Sequence, residues 1–322
     1  MKVFIQTAAA IILLFAAGPL AAQWPDPARE MTFFTSMPAF LPWEVRNPEL
    51  PLAEALAESL SGNLGLKVNL DLRPGGHGIL AGNKVTGGQK NGYILGLLES
   101  EAAIVRQIQG YTPYHWSELT PVATAWREVK ALIIPAELDW NNLAHRPQGA
   151  GLPRLAHLGT SPVSGDTLMA MEVAKRAGFV WQLTEVDKLN PQYLLDGRAE
   201  AMVMPLAWLP YHPNAGQLKA VLVFSNDQDL PCLKGRPTLS EKNLMISADP
   251  PVSFYLPANV HTDIRRKLNE GLNMSLNEHE GLIRSLCLER IEKNFEETPA
   301  FVNEQYRLQE AILNQLGFLN KP

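Results

Sequence analysis

The stretch VNLDLRPGGHGILAGNKVTGGQKNGYILGLLES, residues 68–100, decides the fold. An alternating strand at 68–72 leads into a glycine cluster, a short helix at 79–85 and a second apolar strand at 93–98. Gly75, Gly76 and Gly78 lack a Cβ, so they can adopt positive φ and let a ligand approach the main chain. The following helix adds unpaired amides and the positive end of its dipole. The sequence therefore predicts a turn that suits a carboxylate or a phosphate.

The rest of the chain repeats this alternation of strands and helices. A strand at 31–36 precedes a helix that begins at Pro51, carries a leucine at every fourth position and ends at Gly65. A second series follows, with strands and helices at 154–158, 167–177, 201–204 and 220–224. This alternation predicts an α/β protein with doubly wound sheets.

The two series indicate two domains, one of them discontinuous. Two β-prone runs, at 122–126 and 131–134, lead out of the first series, and Pro250-Pro251 marks the return. A final helix is expected to begin at Pro299, with Thr298 as its N-cap and with Phe301, Leu308, Ile312 and Leu316 facing inward. We predict one domain from residues 23–124 plus 251–322 and a second from 125–250, joined by two crossing strands that act as a hinge.

Residues 1–22 have the features of a cleavable secretory signal. Lys2 supplies the positive charge, an apolar run follows, and small residues at 18–22 form the exit. The apolar run is shorter than the roughly 20 residues that a membrane-spanning helix needs. We therefore expect an exported, periplasmic protein; the alternative is an uncleaved membrane anchor.

Composition restricts the partners and cofactors. The net charge of −5 disfavours nucleic acid and anionic membrane surfaces, although local amides can still hold a small anion. No cysteine or histidine cluster predicts a metal site, and no cofactor is expected. In an exported protein, Cys232 and Cys287 form either one disulfide or two separate buried thiols.

An enzyme is the weakest alternative. Gly76-x-Gly78-x-x-x-Gly82 opens a helix, and Glu99 stands where a ribose-binding acid would follow, as in a dinucleotide site. The glycine spacing is a variant, however, and exported proteins rarely meet dinucleotides. The P-loop, zinc-protease and serine-hydrolase motifs do not occur in the sequence.

A second candidate loop precedes the helix at 167–177. Thr160, Ser161 and Ser164 offer hydroxyl groups next to helix amides, which is a suitable wall for closing on a ligand. The alternative is ordinary N-capping by Ser164 or Asp166.

A series of short motifs resembles one known family. The landmarks are Arg73-Pro74-Gly75-Gly76-His77-Gly78, Asn91-Gly92-Tyr93, Leu119-Thr120-Pro121-Val122, Leu158-Gly159-Thr160-Ser161, Arg236-Pro237-Thr238-Leu239-Ser240-Glu241 and Leu256-Pro257. In this order they are similar to the Bug-type extracytoplasmic solute receptors, the substrate-binding proteins of tripartite tricarboxylate transporters.

The resemblance implies a fold, a ligand and a partner. It implies two α/β domains of the periplasmic-binding-protein type, closing on an organic anion that is then delivered to a membrane permease by a monomeric, non-enzymatic receptor. The ligand contacts carried over by position are Gly76, His77, Gly78, Thr160, Ser161, Ser164 and, where the family has an aspartate, Glu200.

Two segments depart from the family pattern. The usual glycine-rich loop after the first strand is replaced at 38–47, where Arg46 could pair with a carboxylate and Trp43 could narrow the cleft. The Val-Pro-Tyr-x-Gly segment is also altered, at 186–190. We therefore predict a receptor for a small organic acid, with a diverged sensory or protein-interaction module as the alternative.

Overall fold

Strands and helices alternate along the chain. The computed structural model describes residues 24–147, 149–158, 163–225, 229–239, 241 and 250–319, without the side chain of His77. The strands are β1 (Glu30–Thr35), β2 (Lys67–Leu72), β3 (Ile94–Leu98), β4 (Leu119–Glu128), β5 (Lys130–Pro135), β6 (Arg154–Leu158), β7 (Gln182–Val186), β8 (Ala201–Pro205), β9 (Leu218–Phe224), β10 (Val252–Pro257) and β11 (Leu288–Arg290). The α-helices are α1 (Leu50–Leu64), α2 (Ile79–Thr86), α3 (Arg106–Ile108), α4 (Trp140–Ala144), α5 (Gly165–Ala177), α6 (Gln192–Leu195), α7 (Thr262–Glu278), α8 (Glu280–Ser285) and α9 (Glu297–Gln315). Within these ranges, no helix has both the length and the hydrophobicity of a transmembrane segment.

The first sheet has six strands in the order β11-β4-β10-β3-β1-β2. β1 pairs in parallel with β2 and β3, and β10 runs antiparallel between β3 and β4. The leucines of α1 pack with Leu268 and Leu272 of α7 in one core, while Val85 of α2 and Val302 of α9 lie in another. The helices therefore pack with this sheet in two separate hydrophobic cores, as the alternating sequence predicts. As expected, α1 ends at Gly65, which takes a left-handed φ of 65°.

The second sheet has five strands in the order β7-β6-β8-β5-β9. β6 is parallel to β7 and β8, while β5 runs antiparallel to β8 and β9. Met169 and Val173 of α5 belong to one core of this domain, and the helical turn Leu206–Tyr211 contributes to the other. The predicted fold class, two α/β domains, is confirmed. β7 and β11 were not predicted from the sequence.

The two sheets are joined directly and covalently. A single residue, Val129, separates β4 of the first sheet from β5 of the second. The predicted boundary after residue 124 falls inside β4, whose last residues still pair with β11 in the first sheet. A disulfide joins Cys232 in the second domain to Cys287, which immediately precedes β11. Of the two alternatives for the cysteines, the structure therefore has the bonded one.

The orientation of the last helix differs from the prediction. α9 begins at Glu297, one residue before the predicted N-cap, and buries Val302, Gln305, Gln309 and Leu313. Leu308, predicted to face inward, is 40% exposed. Leu313 packs against Leu168 of the second domain, so α9 serves both domains. The buried face of α9 includes two glutamines, so the spacing of the apolar residues predicted the wrong face of the helix as buried.

Candidate functional site: the cleft between the domains

A cavity of about 420 Å³ lies where the two domains face each other. Both domains and the crossing strands line it. Its lining includes Ser36, Gly75, Gly76, Gly78, Glu99 and Glu101 from the first domain, Glu128 and Lys130 from the crossing strands, and Ser164, Asp166, Asp187 and Lys188 from the second domain.

The predicted glycine turn forms part of this lining. Gly75, Gly76 and Gly78 all have positive φ, and residues 76–78 form a turn of 3₁₀ helix directly before α2. A Cβ on Gly78 would lie 2.8 Å from the Cβ of Ala102 and 3.1 Å from that of Ser36. Packing as well as backbone conformation therefore requires glycine at position 78. Gly76 and Gly78 line the cavity, and the backbone of His77 lies between them; their contact with a ligand stays a prediction.

The second predicted wall is described only in part. Ser164 lines the cavity and is also the N-cap of α5, because its hydroxyl accepts the amide proton of Thr167 over 3.3 Å. The N-cap interpretation of Ser164 is confirmed, and its contact with a ligand stays a prediction. Thr160 and Ser161 lie outside the described residues.

The crossing strands place a lysine between two acids. Lys130, the first residue of β5, has its Nζ 2.5 Å from a carboxylate oxygen of Asp166 and 3.8 Å from one of Glu128. Glu128 ends β4 in the first sheet, whereas Asp166 lies in the first turn of α5. Lys130 thus links the two domains at the cavity.

Glu101 links the domains a second time. One carboxylate oxygen of Glu101 is 2.5 Å from Nε of the buried Arg106, and the other accepts the amide proton of Gly165 over 2.8 Å. Nearby, the Gln109 side chain donates to the carbonyl of Val163 over 3.1 Å. The first turn of α5 is therefore held against the first domain.

Two glutamates behind the glycine turn have perturbed pKa values. Burial raises the pKa of Glu49 to about 7; the indole N–H of Trp208, which donates over 2.9 Å, opposes this effect, and the charge of Glu99 adds to it. Burial likewise raises the pKa of Glu99, against the charge of Lys130 and a hydrogen bond of 3.1 Å from the Ser36 hydroxyl. Glu99 lines the cavity, and Glu49 lies beside it, lining a void of about 10 Å³.

The altered loop 38–47 closes the rim of the cleft. Trp43 donates its indole N–H to the carbonyl of Tyr211 over 2.9 Å. Its ring also meets those of Trp208 and His212 edge-on, at centroid distances of 6.5 and 5.1 Å. The loop therefore contacts the second domain through aromatic side chains.

Three predicted site residues are not part of the cavity lining in the described chain. Trp43 lies at the rim, and Arg46 pairs with Glu54 of its own domain over 3.0 Å, both side chains being exposed. Glu200 pairs with Arg146 and Arg154. Burial raises the pKa of Glu200, but the bonds from these arginines leave it below its usual value.

Sequence reasoning missed the charged groups of the cleft. The sequence indicates Glu99 only as a ribose-binding acid and Asp166 only as a helix cap, and it predicts no role for Glu128 and Lys130. A usable signal existed, because Glu99 follows the carboxyl end of β3, where ligands bind in α/β sheets.

The chain is similar to known solute-binding receptors. A family model described as "Tripartite tricarboxylate transporter family receptor" matches residues 52–318. A ligand-free TctC solute-binding protein from Polaromonas is 20% identical, with 90% of this chain and 99% of that one covered and a TM-score of 0.69. MatC from Rhodopseudomonas palustris with bound malate is 18% identical, with 89% and 100% covered and a TM-score of 0.67. Rpa4515 of R. palustris with adipate is 19% identical, with 91% and 98% covered and a TM-score of 0.71. No curated protein matches the sequence.

Proposed function

Because this chain belongs to the receptor family of the tripartite tricarboxylate transporters, we propose that it is a periplasmic receptor for a small organic acid. In this proposal the receptor closes on its solute and presents it to the family's membrane permease. The family consists of solute-binding receptors rather than enzymes.

The observation that carries the proposal is the cavity between the domains. Its volume of about 420 Å³ lies within the range typical of small-molecule sites. Its lining joins a glycine turn of the first domain to the first turn of α5 in the second. A solute held there would touch both domains at once.

Contacts that exist only between the closed domains provide the mechanism. A solute that touches both walls binds the closed form more tightly than the open form, so it shifts the population towards closure. The bonds from Gly165 to Glu101 and from Trp43 to Tyr211 would form in the same movement. The closed receptor is then the form that a permease can distinguish from the empty one.

Two structural neighbours support an organic acid as the solute class. Malate is bound in one and adipate in another. In this chain the positive-φ turn at Gly75, Gly76 and Gly78 is the feature best suited to a carboxylate, because backbone amides can approach the anion closely there.

A thermal-shift screen of organic acids and amino acids tests the proposal. A compound present at about 100 times its dissociation constant stabilises the folded protein by about 2.7 kcal/mol, which corresponds to several degrees in Tm. We expect at least one compound to produce such a shift. Flat melting temperatures across the whole panel at millimolar concentration would contradict the proposal.

The rim contact of Trp43 favours a second candidate. Because loop 38–47 contacts the second domain directly, the protein could hold its closed form without a solute and act as a sensory or interaction module. Small-angle scattering distinguishes the two functions. A receptor becomes more compact when its solute is added, whereas the alternative module has the same radius of gyration with and without the panel compounds.

A further inference from the structure

The lining of the cavity carries more negative than positive side chains. Two lysines face five carboxylates, which are Glu99, Glu101, Glu128, Asp166 and Asp187. A ligand with two carboxylates and no positive charge would therefore face more negative than positive side chains in this lining.

The positive groups at the cavity are already engaged by acids of the protein. Lys130 is shared between Asp166 and Glu128, at 2.5 and 3.8 Å. Arg106, beneath the wall, neutralises Glu101. Lys188 is exposed, so solvent screens its charge. The cavity thus offers little free positive charge to an anion at its centre.

The carboxyl group of Glu99 is held by a hydroxyl group, and the charge of Lys130 acts on it from beyond ion-pair distance. Its hydrogen-bond partner is the Ser36 hydroxyl, and no cation of the described residues lies within ion-pair distance of it. It is partly exposed and lines the cavity, so a ligand can reach it. The glycine turn lies next to it, because Ser36 also packs against Gly78. A glycine turn and an acid therefore stand side by side at the cavity, which suits a ligand that carries both charges.

We propose that the solute carries a positively charged amine, which binds at Glu99 while its carboxylate meets the glycine turn. This inference rests on the proposed receptor function and names the chemistry of its solute. An ammonium group donates up to three hydrogen bonds and relieves the repulsion among Glu99, Glu101 and Asp166. The carboxylate of the solute binds at the glycine turn, as in the proposed function.

Matched compounds separate the inference from the proposed function. For each chain length from two to six carbons, calorimetry compares the dicarboxylate, the amino acid with its amine at the far end, and the diamine. We expect the amino acid of the best length to bind at least tenfold more tightly than the dicarboxylate of that length. Tighter binding of the dicarboxylates overturns the inference and leaves the receptor function intact. If only the diamines bind, the result supports an amine in the solute but contradicts an organic acid as the solute class. If no compound binds, the result contradicts the receptor function itself.

A variant pair locates the amine. Glu99→Gln removes one charge while keeping the shape, and we expect it to weaken binding of the best amino compound about tenfold or more. Glu30→Gln is the matched control, because Glu30 is exposed at the start of β1 and pairs with Lys67. Equal affinities of the two variants overturn the assignment to Glu99. Circular dichroism and melting temperature verify that both variants fold.

Proton exchange on binding provides a test that needs no variant. A bound cation favours ionised carboxylates, so it lowers the raised pKa values of Glu49, which is about 7, and of Glu99, and binding releases protons. The charged groups that face this pair are Glu101, Glu128, Lys130 and Asp166. Calorimetry in phosphate and in Tris, which differ in ionisation enthalpy, measures the exchange. Proton release on binding supports a positively charged amine in the solute, whereas proton uptake or no exchange overturns the inference.

Discussion

The hinge side and the rim of the cleft join the same two domains in different ways. At the hinge, β4 continues into β5 through Val129, and the Cys232–Cys287 disulfide adds a covalent link. At the rim, the Trp43 indole donates to Tyr211, while the Trp208 indole donates to Glu49 beside the crossing strands. The hinge connections persist in any domain arrangement, while the rim contacts can break and reform.

This difference bears on the proposed closing movement. In that movement the covalent links would stay in place while the contacts at the rim break and form. The engaged charges of Lys130, Glu128 and Asp166 lie at the cavity between the two sides. Substitutions at the disulfide and at Trp43 each weaken one of these two connections.

Removing the disulfide should have the largest effect on stability. The bond closes a loop with a sequence separation of 55, for which the chain-entropy model gives about 4 kcal/mol. We expect the Cys232→Ser/Cys287→Ser protein to melt about 10 °C below the wild type in calorimetry. The wild type reduced with dithiothreitol should match the double variant. A melting temperature within 2 °C of the oxidised wild type would show that the hinge does not depend on this bond.

Replacing Glu49 by glutamine should change the pH dependence of stability. The folded pKa of about 7 lies above the ordinary 4.5, so the folded state binds the proton more tightly than the unfolded state. The wild type therefore loses stability as the pH rises from 4.5 to about 7, by about 2 to 3 kcal/mol for this group. Glu49→Gln lacks this loss, so the variant's advantage should grow with pH.

Urea unfolding at pH 5, 6, 7 and 8 measures the difference. Glutamine can still accept the indole N–H of Trp208, so the variant keeps this hydrogen bond between the domains. Parallel stability curves for wild type and variant would mean that Glu49 is not held in its protonated form.

Truncating Trp43 should open the rim. Trp43→Ala removes a hydrogen bond and two edge-on ring contacts between the domains, together about 1.4 kcal/mol. The closed population then falls about tenfold relative to the open one, and the affinity for the best panel compound falls with it. At a subsaturating concentration of that compound, scattering should show a larger radius of gyration for the variant than for the wild type.

Phe40→Ala is the control for Trp43→Ala. Phe40 lies in the same loop, but 62% of its surface is exposed. Its truncation should leave the affinity and the radius of gyration unchanged. Equal effects of the two changes would mean that the loop acts through its own folding rather than through the rim contact.

Arg46→Ala should have the smallest effect. Arg46 pairs with Glu54 inside its own domain, and both side chains are more than half exposed. Such pairs contribute less than about 1 kcal/mol. We expect stability within about 0.5 kcal/mol of the wild type and affinity within twofold; a tenfold loss of affinity would place Arg46 in the ligand site after all.

The fold was largely predictable because local patterns determine it. The strand–glycine–helix–strand stretch at 68–100, the capped helix α1 and the strand β6 all occur where periodicity and glycine chemistry place them. The short strands β7 and β11 were missed. Glu185 in β7 and Glu289 in β11 carry charge, and the pairing of β6 with β7 and of β4 with β11 gives these strands their place in the sheets.

The site was predictable only where backbone conformation forms it. Gly76 and Gly78 were found because positive φ requires glycine. Lys130 and Asp166 were not found, because they come together only when the domains meet. Glu200 was carried over from a family position, but two arginines near it engage its carboxylate.

A crystal structure with the panel compound that stabilises the protein most would test the central claim directly. The account predicts density for that compound in the cavity between the domains, with its amine within 3.2 Å of a Glu99 oxygen and its carboxylate at Gly75–Gly78. Density for the compound outside the cavity, or a carboxylate lying against Glu99, would contradict it.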